Sequence, residues 1–356
     1  MITSLTPTRR SLLAGAATLP LAAPMIWMRR AAAAQQLVVR TPGGVFDDVK
    51  KQTVYDPFRA ATGIEIVPVA ATAAKLLAMF QAGQADIDVI DSGDDVILQL
   101  ERAGALEPMP YKEFTYTDPA DIDPGVRRQY QVGSFVYAFV LGFNTTAYPV
   151  GKEPQSWAEF WDIRKFPGPR TLADMASGAP NLEFALLADG VPMDKIYPVD
   201  IDRAFKSLSR VKPAVPKFWD TGALSAQMLA DKEVVLGALW STRVQVAAAG
   251  GASVAAQWNQ NEILAQAYGL TKGSRNLAAA VKFIDYSLSP DVQGRWLRAY
   301  KAIPVNQKAY AQAPAELIDP ATHLPWTKSK GFRQDIEWWA ENRTKVSDAW
   351  SKWLAQ

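Results

Sequence analysis

A tryptophan and an arginine three residues apart form the pair in this sequence that is best suited to hold a charged group. Arg243 follows Trp240, and the helix expected after a strand at 234–240 would bring both side chains to one side. A guanidinium offers a planar fork of donors that matches a carboxylate, a sulfonate or a phosphate. The pair therefore predicts an anion site beside an aromatic surface. The alternative is that Trp240 belongs to the core and Arg243 pairs with an acid of the protein.

A group of acids could bind a cation. Its members are Asp86, Asp88, Asp91, Asp94 and Asp95. Their spacing lacks the calcium-loop pattern with its later glutamate, so we expect no metal site. Asp94 follows Ser92 and Gly93 at a predicted helix start, where the helix dipole favours an acid without any ligand. Asp94 is therefore a candidate partner for an ammonium group, with helix capping as the alternative.

Few groups in the chain could perform catalysis. Cysteine is absent, which excludes disulfides, thiolate metal ligands and cysteine nucleophiles. The single histidine, His323, lies in a Pro- and Thr-rich stretch, so a Ser-His-Asp relay would depend on one loop residue. Paired carboxylates are the remaining option. We expect a binding protein without enzymatic activity and without a cofactor.

Residues 1–34 are typical of an export signal. Arg9 and Arg10 precede an apolar stretch at 11–28, and a run of alanines ending at Ala34 follows. The paired arginines indicate the twin-arginine route, with cleavage expected after Ala34. The alternative is a membrane anchor, but the apolar stretch is at the lower limit for crossing a bilayer and is rich in Ala, Gly and Pro. We therefore expect a periplasmic protein.

Removal of that signal changes the charge of the chain. The segment holds four arginines and no acid, so the formal net charge of +2 becomes −2. A near-neutral chain has no electrostatic footprint for nucleic acid. The remaining length of about 322 residues exceeds the size at which a single core usually stops growing. We expect two lobes and no nucleic-acid partner.

The order of predicted elements indicates an α/β fold. Strands at 37–40, 64–69 and 87–90 alternate with helices at 45–62, at 72–82 and up to residue 103. This alternation builds a parallel sheet with helices on both faces. Ligands of such sheets bind at the carboxyl ends of the strands, which here are the loops at 41–46 and 91–95.

Two later segments are expected to cross between the lobes. The continuous apolar and aromatic run at 135–144 predicts a strand buried on both faces. The segment at 265–270 is the expected return crossing. A helix at 201–211 and the strand at 234–240 belong to the second lobe. Helices at 277–288 and 291–300 follow the return.

Four stretches of the sequence carry a resemblance to a known family. They are PFRAATGIEIV at 57–67, SWAEFWD at 156–162, FPGPR at 166–170 and AAVKFIDYSLSPDVQ at 279–293. In this order they resemble the extracellular solute-binding proteins of ABC transporters, specifically the spermidine/putrescine-binding family. The resemblance implies a type II periplasmic-binding-protein-like α/β fold, with a mostly parallel sheet flanked by helices in each lobe and two hinge crossings. Lobe 1 would comprise 35–143 and 265–305, and lobe 2 would comprise 144–264 and 306–356.

The resemblance also implies ligand contacts, taken one position at a time. The positions that match a family contact are Phe46, Ser92, Trp240 and Gln334. Asp94 stands where the family has a tyrosine. Gln266 stands where the family has an aspartate that holds a cationic amine, and Leu264 replaces a neighbouring tryptophan. Asp94 and Gln266 stay candidate contacts, but the replacements at Gln266 and Leu264 argue against a polyamine.

Arg243 and Asp94 together predict a zwitterionic solute. If Asp94 takes an ammonium on one lobe and Arg243 a carboxylate on the other, the ligand is a short amino acid, and the resemblance allows γ-aminobutyrate. Glu183 is a candidate second acceptor for the amine, and Trp219 or Trp258 is a candidate aromatic wall.

The expected function is capture of a small amine-bearing solute by hinge closure. That solute is a polyamine or a zwitterion such as γ-aminobutyrate, and the partner is an ABC permease in the inner membrane. We expect the protein to be a monomer. The alternatives are another small organic solute (a sugar, a phosphonate or a carboxylate) and a sensor that docks on a chemoreceptor.

Overall fold

Strands and helices alternate through the first part of the chain, as its sequence predicts. The computed structural model describes residues 35–71, 73–83, 86–178, 180–313, 315–321 and 324–356. Its strands are β1 (Gln36–Thr41), β2 (Glu65–Ala70), β3 (Val89–Gly93), β4 (Leu106–Glu107), β5 (Gln131–Asn144), β6 (Arg170–Thr171), β7 (Leu236–Trp240), β8 (Val254–Thr271) and β9 (Gly331–Arg333). The predicted signal at 1–34 and His323 lie outside the described residues.

The helices surround these strands and lie in both lobes. They are α1 (Val45–Lys50), α2 (Asp56–Thr62), α3 (Ala73–Gln81), α4 (Asp94–Arg102), α5 (Trp157–Trp161), α6 (Leu182–Ala188), α7 (Ile201–Val211), α8 (Gly222–Ala230), α9 (Ser241–Ala249), α10 (Leu277–Ser287), α11 (Pro290–Tyr300), α12 (Trp326–Lys330) and α13 (Ile336–Leu354). In the ranges that the structure describes, no helix combines the length and the apolar character needed to cross a bilayer.

One mixed sheet runs through both lobes. Its strand order is β2-β1-β3-β8-β5-β7-β6, and the short strands β4 and β9 pair with β8. β1 is parallel to β2 and to β3, and β6 is parallel to β7. β5 and β8 are antiparallel to each other, and each is antiparallel to its outer neighbour. The predicted two-lobe α/β fold with two crossings is thus confirmed, and the sheet is mixed because the crossing strands run in opposite directions.

The two crossing strands are long and are interrupted by irregularities. β5 spans 14 residues and is buried along almost its whole length, as its apolar run predicts. β8 spans 18 residues, so the return crossing begins well before the predicted segment at 265–270. Their register shifts between Gly133 and Phe135 and again between Phe139 and Leu141. Such bulges bend a strand and disrupt its hydrogen-bond ladder locally.

The helix predicted at 45–62 contains a π-helical turn, Lys51–Tyr55, between α1 and α2. Gly43 and Gly44 immediately precede this helix. Both have a positive φ, 82° and 62°, which glycine adopts without steric cost. A Cβ on Gly43 would lie 2.8 Å from the Cβ of Ala70. This close turn places Phe46 in the first helical turn, at the carboxyl end of β1.

The C-terminal helix α13 covers the second lobe with tryptophans. Trp350 packs edge-on against Phe218, with ring centroids 5.1 Å apart, and Trp353 lies 5.7 Å from the ring of Phe205. The same helix also contacts α4 of the first lobe. α13 therefore connects the aromatic core around Phe205 and Phe218 to helix α4.

Candidate functional site

One face of the crossing strands forms the floor between the lobes. Alternate residues of a strand share a face, so Phe135, Tyr137 and Phe139 of β5 lie side by side. Their partners on β8 are Gln266, Leu264 and Glu262. The floor is therefore aromatic along one strand and mostly polar along the other.

Aromatic rings from both lobes close on this floor. Phe46 of the first lobe lies 6.1 Å from Phe135, measured between ring centroids, and Trp240 of the second lobe lies 6.1 Å from Tyr137. Trp219 adds an edge-to-face contact to Trp240 at 5.3 Å. Tilted and edge-to-face arrangements are the favoured ones for aromatic pairs. The predicted contacts Phe46 and Trp240 are thus brought to one cleft, from opposite sides.

Arg243 has no partner in the described part of the chain. It makes no hydrogen bond or ion pair with any described residue, and its Nε is buried. The Nε1 of Trp240 is likewise buried without an acceptor. A Cβ at Gly222 would lie 2.5 Å from the indole of Trp240 and 3.1 Å from Nε of Arg243, so the glycine leaves room for both side chains. Leaving a buried donor unpaired costs about 1–3 kcal/mol, so these two donors are well placed for a ligand acceptor.

Tyr300 shows that Arg243 faces the other lobe. Tyr300 ends α11, is 8% exposed and packs on Phe46 at 5.6 Å between centroids. Burial raises the pKa of the Tyr300 hydroxyl, and the positive charge of Arg243 opposes that rise. The guanidinium of the second lobe and the phenol of the first therefore share one cleft.

A pair of buried glutamates lies beneath the second lobe's side of the floor. Glu183 of α6 accepts hydrogen bonds from the Tyr197 hydroxyl (2.8 Å) and from Nε1 of Trp339 (2.7 Å). Glu262 accepts one from Nε2 of Gln334 at 2.7 Å. Burial raises the pKa of both carboxyls, and Glu183 raises that of Glu262 further. Neither has a cationic side chain within ion-pair distance among the described residues, so a bound ammonium would stabilise their charged forms.

Asp94 is already paired in this structure. Its carboxylate accepts a hydrogen bond from Nη2 of Arg333 at 2.9 Å, and Asp95 is paired with Arg343 at 2.7 Å. Burial raises the pKa of Asp94 to about 6, although Arg333 lowers it. Both arginines come from the C-terminal segment, Arg333 from β9 and Arg343 from α13. Asp94 thus starts α4 beside the floor, but its charge is compensated by Arg333.

A buried lysine supports the aromatic side of the first lobe. Nζ of Lys50 lies 3.0 Å from the carboxylate of Asp91, and the two side chains are 3% and 1% exposed. The same Nζ lies 5.2 Å from the ring centroid of Phe46 and 5.0 Å from that of Trp296. Burial alone would lower the pKa of Lys50, but Asp91 and Tyr268 raise it above its usual value. Lys50 therefore stays charged and holds the rings in place.

The other predicted contacts divide into two groups. Ser92 lies at the end of β3, is buried, and precedes the paired Asp94. Gln266 lies opposite Phe135 on the floor, and its Nε2 is buried without an acceptor. Trp258 does not lie with the cleft residues, because it is buried in a separate groove with Trp326.

The sequence did not point to several residues of the cleft. They are Tyr137, Glu262, Tyr300 and Arg333. The alternation inside the run at 135–144 could have identified Tyr137, because it shares a face with Phe135 and Phe139. Glu262 and Arg333 carry no local pattern, since their partners lie 72 and 239 residues away. No group of acids or histidines in the described ranges could hold a metal ion.

The chain is similar to known proteins over most of its length. The sequence model of the family described as bacterial extracellular solute-binding protein matches residues 53–325. A gamma-aminobutyric acid-binding protein of Pseudomonas aeruginosa is 29% identical over 332 residues, which cover 91% of this chain and 92% of that one.

Solved structures share the fold as well as the sequence. The structure of the Atu4243-GABA receptor is 34% identical, with a TM-score of 0.78 over 90% of this chain and 97% of that one. An ABC transporter substrate-binding protein from Bradyrhizobium japonicum is 30% identical, with a TM-score of 0.78 over 90% of this chain and 99% of that one. The alignments therefore include both lobes and the crossing strands.

Proposed function

The chain belongs to the bacterial extracellular solute-binding protein family, and from this premise we propose that it captures a short zwitterionic amino acid for an ABC permease. γ-Aminobutyrate is the first candidate. The predicted solute-binding role is confirmed by the family, and the two-lobe fold provides the hinge for capture. The proposal concerns the chemistry of the solute.

The unpartnered guanidinium of Arg243 carries the proposal. In most proteins an arginine this close to a buried aromatic cluster pairs with an acid, because an uncompensated buried charge is costly. Here Arg243 and the Nε1 of Trp240 offer donors from adjacent turns, with no acceptor among the described residues. A ligand carboxylate would accept from both, with a bidentate contact to the guanidinium.

The amine end of the solute has two supports. Glu183 and Glu262 form a buried acidic pair without a cation, on the side of the floor that carries Phe139. Trp240 and Tyr137 offer ring faces for a cation–π contact. A solute with a carboxylate near Arg243 and an ammonium near the glutamates would neutralise both.

The names of similar proteins support this choice. Two of them are called a gamma-aminobutyric acid-binding protein and a GABA receptor, and both align with about nine-tenths of this chain. The finer resemblance to spermidine/putrescine-binding proteins stays a prediction. A diamine would bring a second positive charge to a cleft that already contains Arg243.

The proposal includes location and partners. Residues 1–34 would be a twin-arginine signal cleaved after Ala34, and the remaining chain would act in the periplasm as a monomer. Its partner would be an inner-membrane ABC permease that receives the closed form. It would perform no catalysis, consistent with a family and neighbours that are solute-binding proteins.

Calorimetric titration of the purified protein tests the proposal. The ligands are γ-aminobutyrate, putrescine and spermidine, and the variant is Arg243→Ala. We expect γ-aminobutyrate to bind best and the variant to lose at least about tenfold in affinity, because hydrogen bonds to a charged group contribute about 1.5–3 kcal/mol. Arg275→Ala is the matched control, since Arg275 is exposed. A preference for the amines that persists in Arg243→Ala would refute the zwitterion assignment.

A further inference from the structure

Ion pairs join the first lobe to the C-terminal segment of the second. They link Arg333 to Asp94 (2.9 Å), Arg343 to Asp95 (2.7 Å), Arg102 to Glu337 (2.6 Å) and Arg128 to Glu337 (2.7 Å). The side chain of Asp94 is 10% exposed, whereas that of Glu337 is 45% exposed. Water screens the outer pairs, so the pair between Arg333 and Asp94 has the strongest electrostatic effect on its surroundings.

Asp94 lies where its charge acts on the solute cleft. It starts α4 directly after Ser92 and Gly93, at the carboxyl end of β3. Its charge reaches the Tyr137 hydroxyl on the floor, whose pKa is raised by burial and by the nearby acids Asp95 and Asp94. An unpaired Asp94 would therefore be a third acceptor for amines in a cleft that already has Glu183 and Glu262.

Arg333 neutralises that acceptor. It ends β9, which pairs with β8 at Ile263, next to the floor residue Glu262. β3 pairs with β8 three residues further on, with Gly93 opposite Gln266, so the guanidinium reaches Asp94 along the edge of β8. A solute that used Asp94 for an ammonium group would have to displace this guanidinium.

We propose that Arg333 is a specificity-determining residue. By pairing with Asp94, it denies the cleft an acceptor for a second ammonium group and so discriminates against diamines. A solute with one amine and one carboxylate is accepted, because it needs only the glutamate pair and Arg243. This inference rests on the proposed function, since it concerns the same cleft.

The test compares putrescine with γ-aminobutyrate in calorimetric titrations of Arg333→Gln. Glutamine keeps hydrogen-bonding capacity but removes the charge, which leaves Asp94 free. We expect the ratio of the putrescine Kd to the γ-aminobutyrate Kd to fall at least tenfold. The double variant Arg333→Gln with Asp94→Asn should return the ratio to that of the unmodified chain. An unchanged ratio in Arg333→Gln would overturn the inference.

Arg102→Gln is the matched control, because it removes an ion pair of similar length to the C-terminal segment, at Glu337, whose side chain is 45% exposed. It should leave the ratio of the two Kd values unchanged. If Arg102→Gln shifts the ratio as much as Arg333→Gln does, the arginines only favour closure and the inference fails. Asp94→Asn alone provides a second test if Arg333→Gln does not fold. It leaves Arg333 unpaired, so putrescine should bind still more weakly relative to γ-aminobutyrate, and any rise in its relative affinity refutes the inference.

The outcomes also separate the two proposals. If γ-aminobutyrate binding is lost in Arg243→Ala but the ratio does not respond to Arg333→Gln, the proposed function stands and the role of Arg333 is refuted. If the unmodified chain binds neither ligand while Arg333→Gln binds putrescine, the role of Arg333 stands and the proposed function is refuted. If Arg333→Gln also binds neither ligand, both proposals are refuted.

Discussion

Nζ of Lys50 lies 3.0 Å from the carboxylate of Asp91 in a position where water reaches neither group. Asp91 belongs to β3 and Lys50 to α1, so the pair joins the two strand-end segments that carry Ser92 and Phe46. Ser134 of β5 donates a hydrogen bond to the same carboxylate at 3.3 Å. A charge pair thus connects both candidate ligand loops to the first crossing strand.

Lys50→Met should destabilise the protein by about 3–5 kcal/mol, because it leaves the buried Asp91 carboxylate without its partner. Urea unfolding followed by tryptophan fluorescence measures this loss. Lys51→Met is the neighbouring control: Lys51 is 64% exposed, and an exposed pair such as its contact with Asp56 contributes about 0–1 kcal/mol. Equal losses in the two variants would show that Lys50 and Asp91 do not act as a buried pair.

Gly222→Ala should impair solute binding. The added Cβ would lie 2.5 Å from the indole of Trp240 and 3.1 Å from Nε of Arg243, closer than nonbonded atoms approach, so both side chains must shift from their positions. We expect at least a tenfold loss of affinity for γ-aminobutyrate in calorimetry. The control is Gly250→Ala, at the C-terminal end of the helix that contains Arg243. Its added Cβ would lie 3.4 Å from a backbone oxygen, so this variant should keep the affinity. Binding that is equally strong in both variants would contradict the tight packing at Gly222.

The stability of the protein should respond to the titration of Asp94. Burial raises its pKa to about 6 in the folded chain, compared with about 3.9 in an unfolded chain. Between these values the folded state binds more protons, so the contribution of Asp94 to stability falls as pH rises and is constant above pH 6. We expect the unfolding free energy of the unmodified chain, relative to Asp94→Asn, to decline from about pH 4 to about pH 6. A relative stability that rises over this interval would reverse the sign and reject the raised pKa.

Glu262→Gln should raise the thermal stability of the unliganded protein and lower its affinity for γ-aminobutyrate. Burial and Glu183 raise the pKa of Glu262, so in the unliganded protein its ionisation opposes folding as pH rises. The variant should melt at a higher temperature than the unmodified chain at pH 8, and at a similar one at pH 4. Its γ-aminobutyrate affinity should fall, because one acceptor of the ammonium is neutral. The exposed Glu233→Gln is the control and should change neither property.

Thermal melting at several pH values, with and without γ-aminobutyrate, measures both effects of Glu262→Gln. If the variant melts at a lower temperature at pH 8, Glu262 supports the fold as a carboxylate and does not serve as a ligand acceptor. If melting rises and affinity is unchanged, the acidic pair has no part in binding the amine.

The sequence predicted the elements whose pattern is local. Helix α7 matches the predicted 201–211, because its apolar residues recur at helical spacing and Asp200 caps it by accepting from the amide of Arg203. The start of β8 was missed, because residues 254–264 are mostly polar or half-buried. The π-helical turn at Lys51–Tyr55 leaves no mark in composition and was also missed.

The cleft residues also differ in whether neighbouring or distant parts of the sequence determine their contacts. The positions of Phe46 and Trp240 in the fold could be predicted, because Phe46 follows β1 and Trp240 ends β7, at the strand ends where ligands of such sheets bind. Their contact with a solute stays a prediction. The pairing of Asp94 could not, because Arg333 lies 239 residues away and reaches it only in the folded chain. An acid at a helix start looks the same in sequence whether its partner is a ligand, the dipole or a distant arginine.

The two register shifts in β5 also bear on how the floor should move. Residues 135–139 pair regularly with β8, and the shifts lie immediately before and after this segment. A ladder bends most easily where its hydrogen bonds are interrupted, so we expect rotation of the lobes to concentrate at these two points. The rings of Phe135, Tyr137 and Phe139 should then keep their mutual spacing during opening and closing, which would preorganise the contact surface before a solute arrives.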